Sequence, residues 1–143
     1  LLKASTEFAV ICKLKAVTPK FTMQQKKALI VDDETDTCFL LKGILQQQGF
    51  QTSFVHSLQD AKTALALSVP DVVFLDNHLK DGHGIEFIPY LTERFAQLKI
   101  IIITAFDTAL DKQNAYQKGA HHFIGKPFNR TIVSQALMLI FPV

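Results

Sequence analysis

At 143 residues, 48% hydrophobic and 20% charged, the chain has the size and composition of one compact globular domain. This excludes a disordered or low-complexity protein. Its two cysteines, Cys12 and Cys38, exclude a disulfide framework and a paired-cysteine zinc site. No apolar run approaches the ~20 residues that cross a bilayer, so a soluble, cytoplasmic protein without membrane contact is expected. The net charge of +2 hides an asymmetry: residues 1–27 carry six lysines against Glu7, whereas the remainder carries nine Lys/Arg against twelve Asp/Glu. A basic leader therefore precedes an acidic body. No basic stripe follows any body helix, so direct nucleic-acid binding is not expected.

In chain order, residues 1–25 read as an N-terminal extension. Phe8, Val10, Cys12, Leu14 and Ala16 alternate with other residues there, the period of one half-buried strand. From residue 26 to 143 the chain reads as a single domain in which apolar runs and helical patterns alternate five times. Ala28–Val31 is a buried strand. Cys38, Leu41, Ile44 and Leu45 recur at helical spacing, and Gly49 stops that helix. Gln51–Val55 is a half-exposed strand. Ser57 and Asp60 cap a helix carrying Leu58, Ala61, Ala64 and Leu65, which Pro70 terminates.

Val72–Leu75 is a fully apolar strand, followed by a loop from Asp76 to Gly84 and a helix marked by Ile85, Ile88 and Leu91. Ile100–Ile103 is the fourth strand. The fourth helix, Thr108 to Lys118, is expected to turn Leu110, Ala115 and Tyr116 inward before Gly119. His122–Ile124 is the fifth strand, and Ile132, Val133, Ala136, Leu137 and Ile140 define the last helix. Five βα units with continuous apolar strands imply an α/β fold, a doubly wound parallel sheet with helices on both faces. Ligands in such sheets bind beyond the carboxyl ends of the strands.

That rim carries the chemistry. Asp32 and Asp33 follow the first strand, Asp76 the third, Thr104 closes the fourth and Lys126 lies just past the fifth. Three gathered carboxylates repel one another unless a hard cation joins them, and an open, incomplete oxygen cage suits Mg²⁺ better than Ca²⁺. Asp32 and Asp33 could alternatively cap the first helix. A carboxylate can attack a phosphoryl group; Lys126, the Thr104 hydroxyl and the backbone N–H of the small Ala105 would then neutralise its oxygens. His121 and His122 point to opposite faces of a strand and make a poor metal pair. Cys38 reads as a small core hydrophobe.

Four motifs carry a resemblance: VDD at 31–33, FLDNHLKDGHG at 74–84, ITA at 103–105 and GAHHFIGKPF at 119–128. Together, in this order, they resemble the receiver domain of bacterial two-component response regulators, over about Ala28 to Ile140. The resemblance implies a flavodoxin-like sheet of strand order 2-1-3-4-5 and a cis peptide at Lys126–Pro127. It implies that Asp76 is the phospho-acceptor, assisted by Thr104 and Lys126. Mg²⁺ would be held by Asp32, Asp33, Asp76 and the backbone carbonyl of His78, and the phosphoryl group would be met by Asn77 and Ala105. Thr104 and Phe123 match the family's switching pair, and His78 and Phe106 occupy positions that tune dephosphorylation.

The implied function is phosphorelay signalling rather than enzymatic turnover. A sensor histidine kinase or histidine phosphotransfer protein would be the donor. The face of the fourth helix, fifth strand and fifth helix would meet an output partner or a second copy. Lys80 and Phe123 depart from the family's usual proline and tyrosine. Three alternatives stand beside this reading: an aspartyl-nucleophile phosphatase of haloacid-dehalogenase type, a flavin-binding module, and a receiver-like interaction domain that takes no phosphate.

Overall fold

The computed structural model describes residues 24–142; the alternating segment Phe8–Ala16 lies outside the described residues. Five strands, β1 (Lys27–Val31), β2 (Gln51–Val55), β3 (Val72–Asp76), β4 (Lys99–Thr104) and β5 (His122–Gly125), form one parallel sheet of order β2-β1-β3-β4-β5. Five helices connect or follow them: α1 (Thr35–Gln47), α2 (Leu58–Leu67), α3 (Gly84–Arg94), α4 (Ala109–Lys118) and α5 (Arg130–Ile140). The expected fold class and strand order are both present.

Alternate strand residues feed opposite faces, as the pleat requires. Val73 and Leu75 of β3 join α2, α3 and α4 through Leu65, Ile88 and Ala115. Val72 and Phe74 join α1 and α5 through Leu41, Leu45 and Val133. Both faces of β3 are covered, so every residue from Val72 to Asp76 is buried. The edge strand β2 is only partly covered, as its polar residues predict.

One expected face is corrected. Only Ala115 of α4 is buried; Leu110 is 65% exposed and Tyr116 43%. The reason is angular: residues five apart on a helix lie about 140° apart, and adjacent ones about 100°, so neither shares the Ala115 face. Ile132 of α5 likewise sits at the edge of its apolar stripe, 38% exposed.

The loop after Asp76 is more ordered than expected. His78–Leu79 and Gly82–His83 form a short antiparallel ribbon, with His78 opposite His83. Asp81 at its tip accepts hydrogen bonds from the backbone N–H groups of Leu58 and Gln59, at 3.0 Å each, while Ser57 Oγ accepts from Asp60. Two distant segments thus share the capping of α2. Gly84 packs so closely under β3 that a Cβ there would overlap the carbonyl oxygen of Asp76. Gly119 ends α4 with φ 121°, where a side chain would be strained.

Candidate cation and phosphoryl site

Parallel pairing sets the site. Val31 is abreast of Leu75, Asp76 of Ile103, and Thr104 of Gly125. The next residue or two on each strand therefore emerge on one rim: Asp32 and Asp33, Asp76, Thr104, and Lys126. Asp32 and Thr104 are fully buried, and Asp76 and Asn77 are each 4% exposed. Asp32, Asp33 and Asp76 each bring a carboxylate oxygen within 4.8 Å of the others. Asp33 and Asp76 border an open cleft of about 140 Å³ with Glu34, His78, Ala105, Phe106 and Lys126, and Asp32 lies buried behind it.

Lys126 spans the cluster. Its Nζ lies 2.9 Å from Asp32 Oδ2, 2.8 Å from Glu34 Oε1 and 3.8 Å from Asp76 Oδ1. Burial works against the ammonium charge, but the hydrogen bond to Glu34 and the charges of Asp32 and Asp76 outweigh it, holding the Lys126 pKa above the ordinary value. The Lys126–Pro127 peptide is cis, as the family resemblance implies.

Asp76 is the most perturbed acid. Burial raises its pKa, and the neighbouring Asp32 charge raises it further, to about 6; Lys126 and the His78 backbone N–H oppose this only in part. Asp32 accepts the Glu34 N–H on Oδ1 at 2.8 Å. Its buried Oδ2 has no hydrogen-bonding partner, since Lys126 is near enough to attract it but is not aligned as a donor. An orphaned buried carboxylate oxygen, beside a second acid that burial and charge push toward protonation, is what a divalent cation would relieve. The donor set is all oxygen and open on one side, which fits Mg²⁺.

The remaining groups fall into two kinds. Thr104 Oγ1 accepts the Phe106 N–H at 3.1 Å and lies 3.5 Å from His78 Nδ1. The His78 ring rests on Phe106, with centroids 4.4 Å apart. Ala105 lines the cleft. Asn77 and Phe123 are set back. The Asn77 carboxamide oxygen accepts the Ile85 N–H at 2.9 Å, and its backbone N–H donates to the Ile103 carbonyl at 3.3 Å. These bonds pin β3 to α3 and β4, so only the Asn77 amide NH₂ is left to meet an anion. Phe123 of β5 is 7% exposed, in the core cluster that includes Ala115 of α4, with Lys112 Nζ 5.8 Å from its ring centroid.

Sequence reasoning missed Glu34. It continues the acidic run Asp32-Asp33-Glu34, a visible signal, but its pairing with Lys126 joins residues 92 apart. A hydrogen bond from Lys126, reinforced by the ammonium charge, holds the Glu34 pKa below the usual carboxylate value.

Fold and site together define a class: a doubly wound α/β domain with an acid-lined, lysine-bridged cleft at the carboxyl rim of its sheet. The chain belongs to the response regulator receiver domain family, whose model matches residues 28–138. It is 33% identical over 124 residues to the response regulator protein PilR of Pseudomonas aeruginosa, covering 84% of this chain but 28% of PilR. It is 26% identical over 113 residues to the photosynthetic apparatus regulatory protein RegA of Rhodobacter capsulatus, 79% of this chain and 61% of RegA. The chain therefore spans less than two thirds of either relative.

Among solved structures, it superposes with TM-score 0.79 and 27% identity on the CheX–CheY–BeF₃–Mg²⁺ complex of Borrelia burgdorferi, covering 87% of this chain and 95% of that one. A two-component response regulator from Clostridium difficile gives TM-score 0.77 at 26% identity, covering 81% and 95%. The protein is thus a signalling domain of two-component systems, with an acid cluster able to hold a metal. Membership displaces the phosphatase and flavin readings. Among the described residues, no helix is long and apolar enough to cross a membrane.

Proposed function

We propose that Asp76 accepts a phosphoryl group from a phosphohistidine of a sensor kinase or phosphotransfer protein, with Mg²⁺ held by Asp32, Asp33, Asp76 and the His78 carbonyl. The convergence of three carboxylates and the Lys126 ammonium around a buried, poorly solvated Asp76 carries this reading. An Asp76 carboxylate oxygen forms the new P–O bond while the donor's P–N bond breaks, and the electron pair and a proton go to the leaving imidazole. When bound, Mg²⁺ supplies positive charge to the transferring oxygens. Lys126 is placed to take a further oxygen, and Thr104 and the Ala105 N–H to take others.

Thr104 then exchanges one hydrogen bond for another: its hydroxyl, engaged with the Phe106 N–H, turns to the phosphoryl group. The Phe123 ring moves into the space vacated, which shifts the face of α4, β5 and α5 toward its partner-binding state. A shift from 1:99 to 99:1 needs about 5.5 kcal/mol of differential stabilisation. Charge-assisted bonds from Thr104 and Lys126 can contribute much of that. The exposed Phe106 and His78 rings cover the approach to Asp76 and govern how quickly water reaches the acyl phosphate.

Incubation with acetyl phosphate and Mg²⁺ should add one phosphoryl mass, labile to hydroxylamine, to the wild-type chain and none to Asp76→Asn. Retained labelling in that variant would place the acceptor elsewhere.

A further inference from the structure

The role of Lys126 is to meet a phosphoryl oxygen on Asp76, yet its Nζ is nearer to two other acids. It lies 3.8 Å from Asp76 Oδ1 but 2.8 Å from Glu34 Oε1 and 2.9 Å from Asp32 Oδ2. Charge-assisted bonds to anions form at about 2.7–2.9 Å, so a phosphoryl oxygen on Asp76 has to compete with these two carboxylates for the ammonium. Asp32 is buried and tied to the Glu34 N–H, which fixes its carboxylate beside Lys126. Glu34 differs. Its side chain is 62% exposed at the mouth of the cleft, where an incoming anion meets it first.

Two further observations single out Glu34. It occupies the N-cap position of α1 but makes no side-chain cap bond, and glutamate is not among the residues favoured there. Its carboxylate is instead aimed at Lys126 and steadied by Thr37 Oγ1, which donates to Oε1 at 3.2 Å. The residue therefore serves the cleft rather than the helix.

We propose that Glu34 is a positioning residue that holds Lys126 back from the acceptor, restraining phosphoryl uptake until an anion displaces it. This rests on Asp76 being the acceptor. The Glu34 carboxylate competes with the incoming phosphoryl group for one ammonium, while its charge favours a cation in the neighbouring acid cluster. Removing it should push the two ligands in opposite directions, which a merely structural role would not do.

The test compares wild type, Glu34→Gln and Glu34→Asp, each as the full chain. Acetyl phosphate uptake is followed by intact mass, and Mg²⁺ binding by calorimetry without donor. For Glu34→Gln, uptake at limiting donor should rise about two- to fivefold, the scale of an exposed ion pair, while Mg²⁺ binding weakens by up to about threefold. Glu34→Asp keeps the charge but is one methylene short of Lys126. It should match Glu34→Gln toward the donor and wild type toward Mg²⁺. Unchanged or slower uptake in Glu34→Gln, with wild type labelled on Asp76, overturns the restraint alone. So does wild-type behaviour toward the donor in Glu34→Asp. A wild-type chain that takes no phosphoryl group overturns both this inference and the acceptor assignment.

Discussion

Asp71 and Asp76 bracket the same strand, β3, at opposite ends of the sheet, and their environments differ sharply. At the amino rim, the half-buried Asp71 carboxylate accepts the Lys27 backbone N–H at 2.7 Å. At the carboxyl rim, Asp76 is 4% exposed among like charges, and its pKa is raised to about 6. Among the described residues, all four buried polar side chains, Asp32, Asp76, Asn77 and Thr104, lie on the carboxyl rim. A larger hollow of about 270 Å³ lies at the amino rim, but Lys27 is its only charged lining residue. The contrast teaches that location, not residue type, makes an acid structural or functional. One rim stabilises the fold through satisfied bonds, and the other is costly without a ligand.

The most severe way to break the contrast is to neutralise each acid. Asp76→Asn should abolish acyl phosphate formation and stabilise the ion-free domain by about 1–3 kcal/mol in urea unfolding, since a poorly solvated charge is removed. Asp71→Asn should keep full labelling and lose about 1 kcal/mol, the scale of one hydrogen bond.

Acidity sharpens it next. Asp76 binds its proton more tightly in the folded chain, so the stability it contributes is complete below pH 3.8 and is lost as pH rises through about 6. A rise from 3.8 to about 6 corresponds to at most roughly 3 kcal/mol. Denaturation of the ion-free protein should therefore show wild type losing stability relative to Asp76→Asn across that window. Equal slopes in the two proteins would remove Asp76 as the cause. Glu34 and Asp81 act in the opposite sense: their lowered pKa values give stability present above the ordinary carboxylate range, which is lost as acid protonates them.

Metal addition is a third measurement. At a Mg²⁺ concentration 100 times its Kd, the wild type should gain about 2.7 kcal/mol at pH 7, and chelation should reverse it. The effect should shrink in Asp33→Ala and persist in Asp71→Asn. The smallest change is on the outer face of α4: Leu110→Ser should alter stability by no more than about 0.5 kcal/mol, because that side chain is 65% exposed. A loss of several kcal/mol would restore the inward face first expected for Leu110.

Much of this molecule was legible before its structure. The strands at Ala28, Gln51, Val72, Ile100 and His122, the helix stop at Gly119 and the rim residues Asp32, Asp33, Asp76, Thr104 and Lys126 follow from local period and from what ends each run. The α4 face was misread because its polar surface left few apolar residues to fix a phase, and the single buried one is an alanine. The Asp81 cap on α2 and the Glu34–Lys126 pair were not legible, since they join residues 22–23 and 92 apart.

The amino-acid order alone settled where strands and helices fall and which polar residues stand at strand ends, because backbone geometry imposes those periods within a few residues. Tertiary packing decided the rest. Only with β1, β3 and β4 side by side is Asp76 stripped of water, its carboxyl pushed toward neutrality by Asp32, and Lys126 divided among three acids. Desolvation and charge coupling depend on which groups become neighbours, and that is a property of the folded chain rather than of any segment in it.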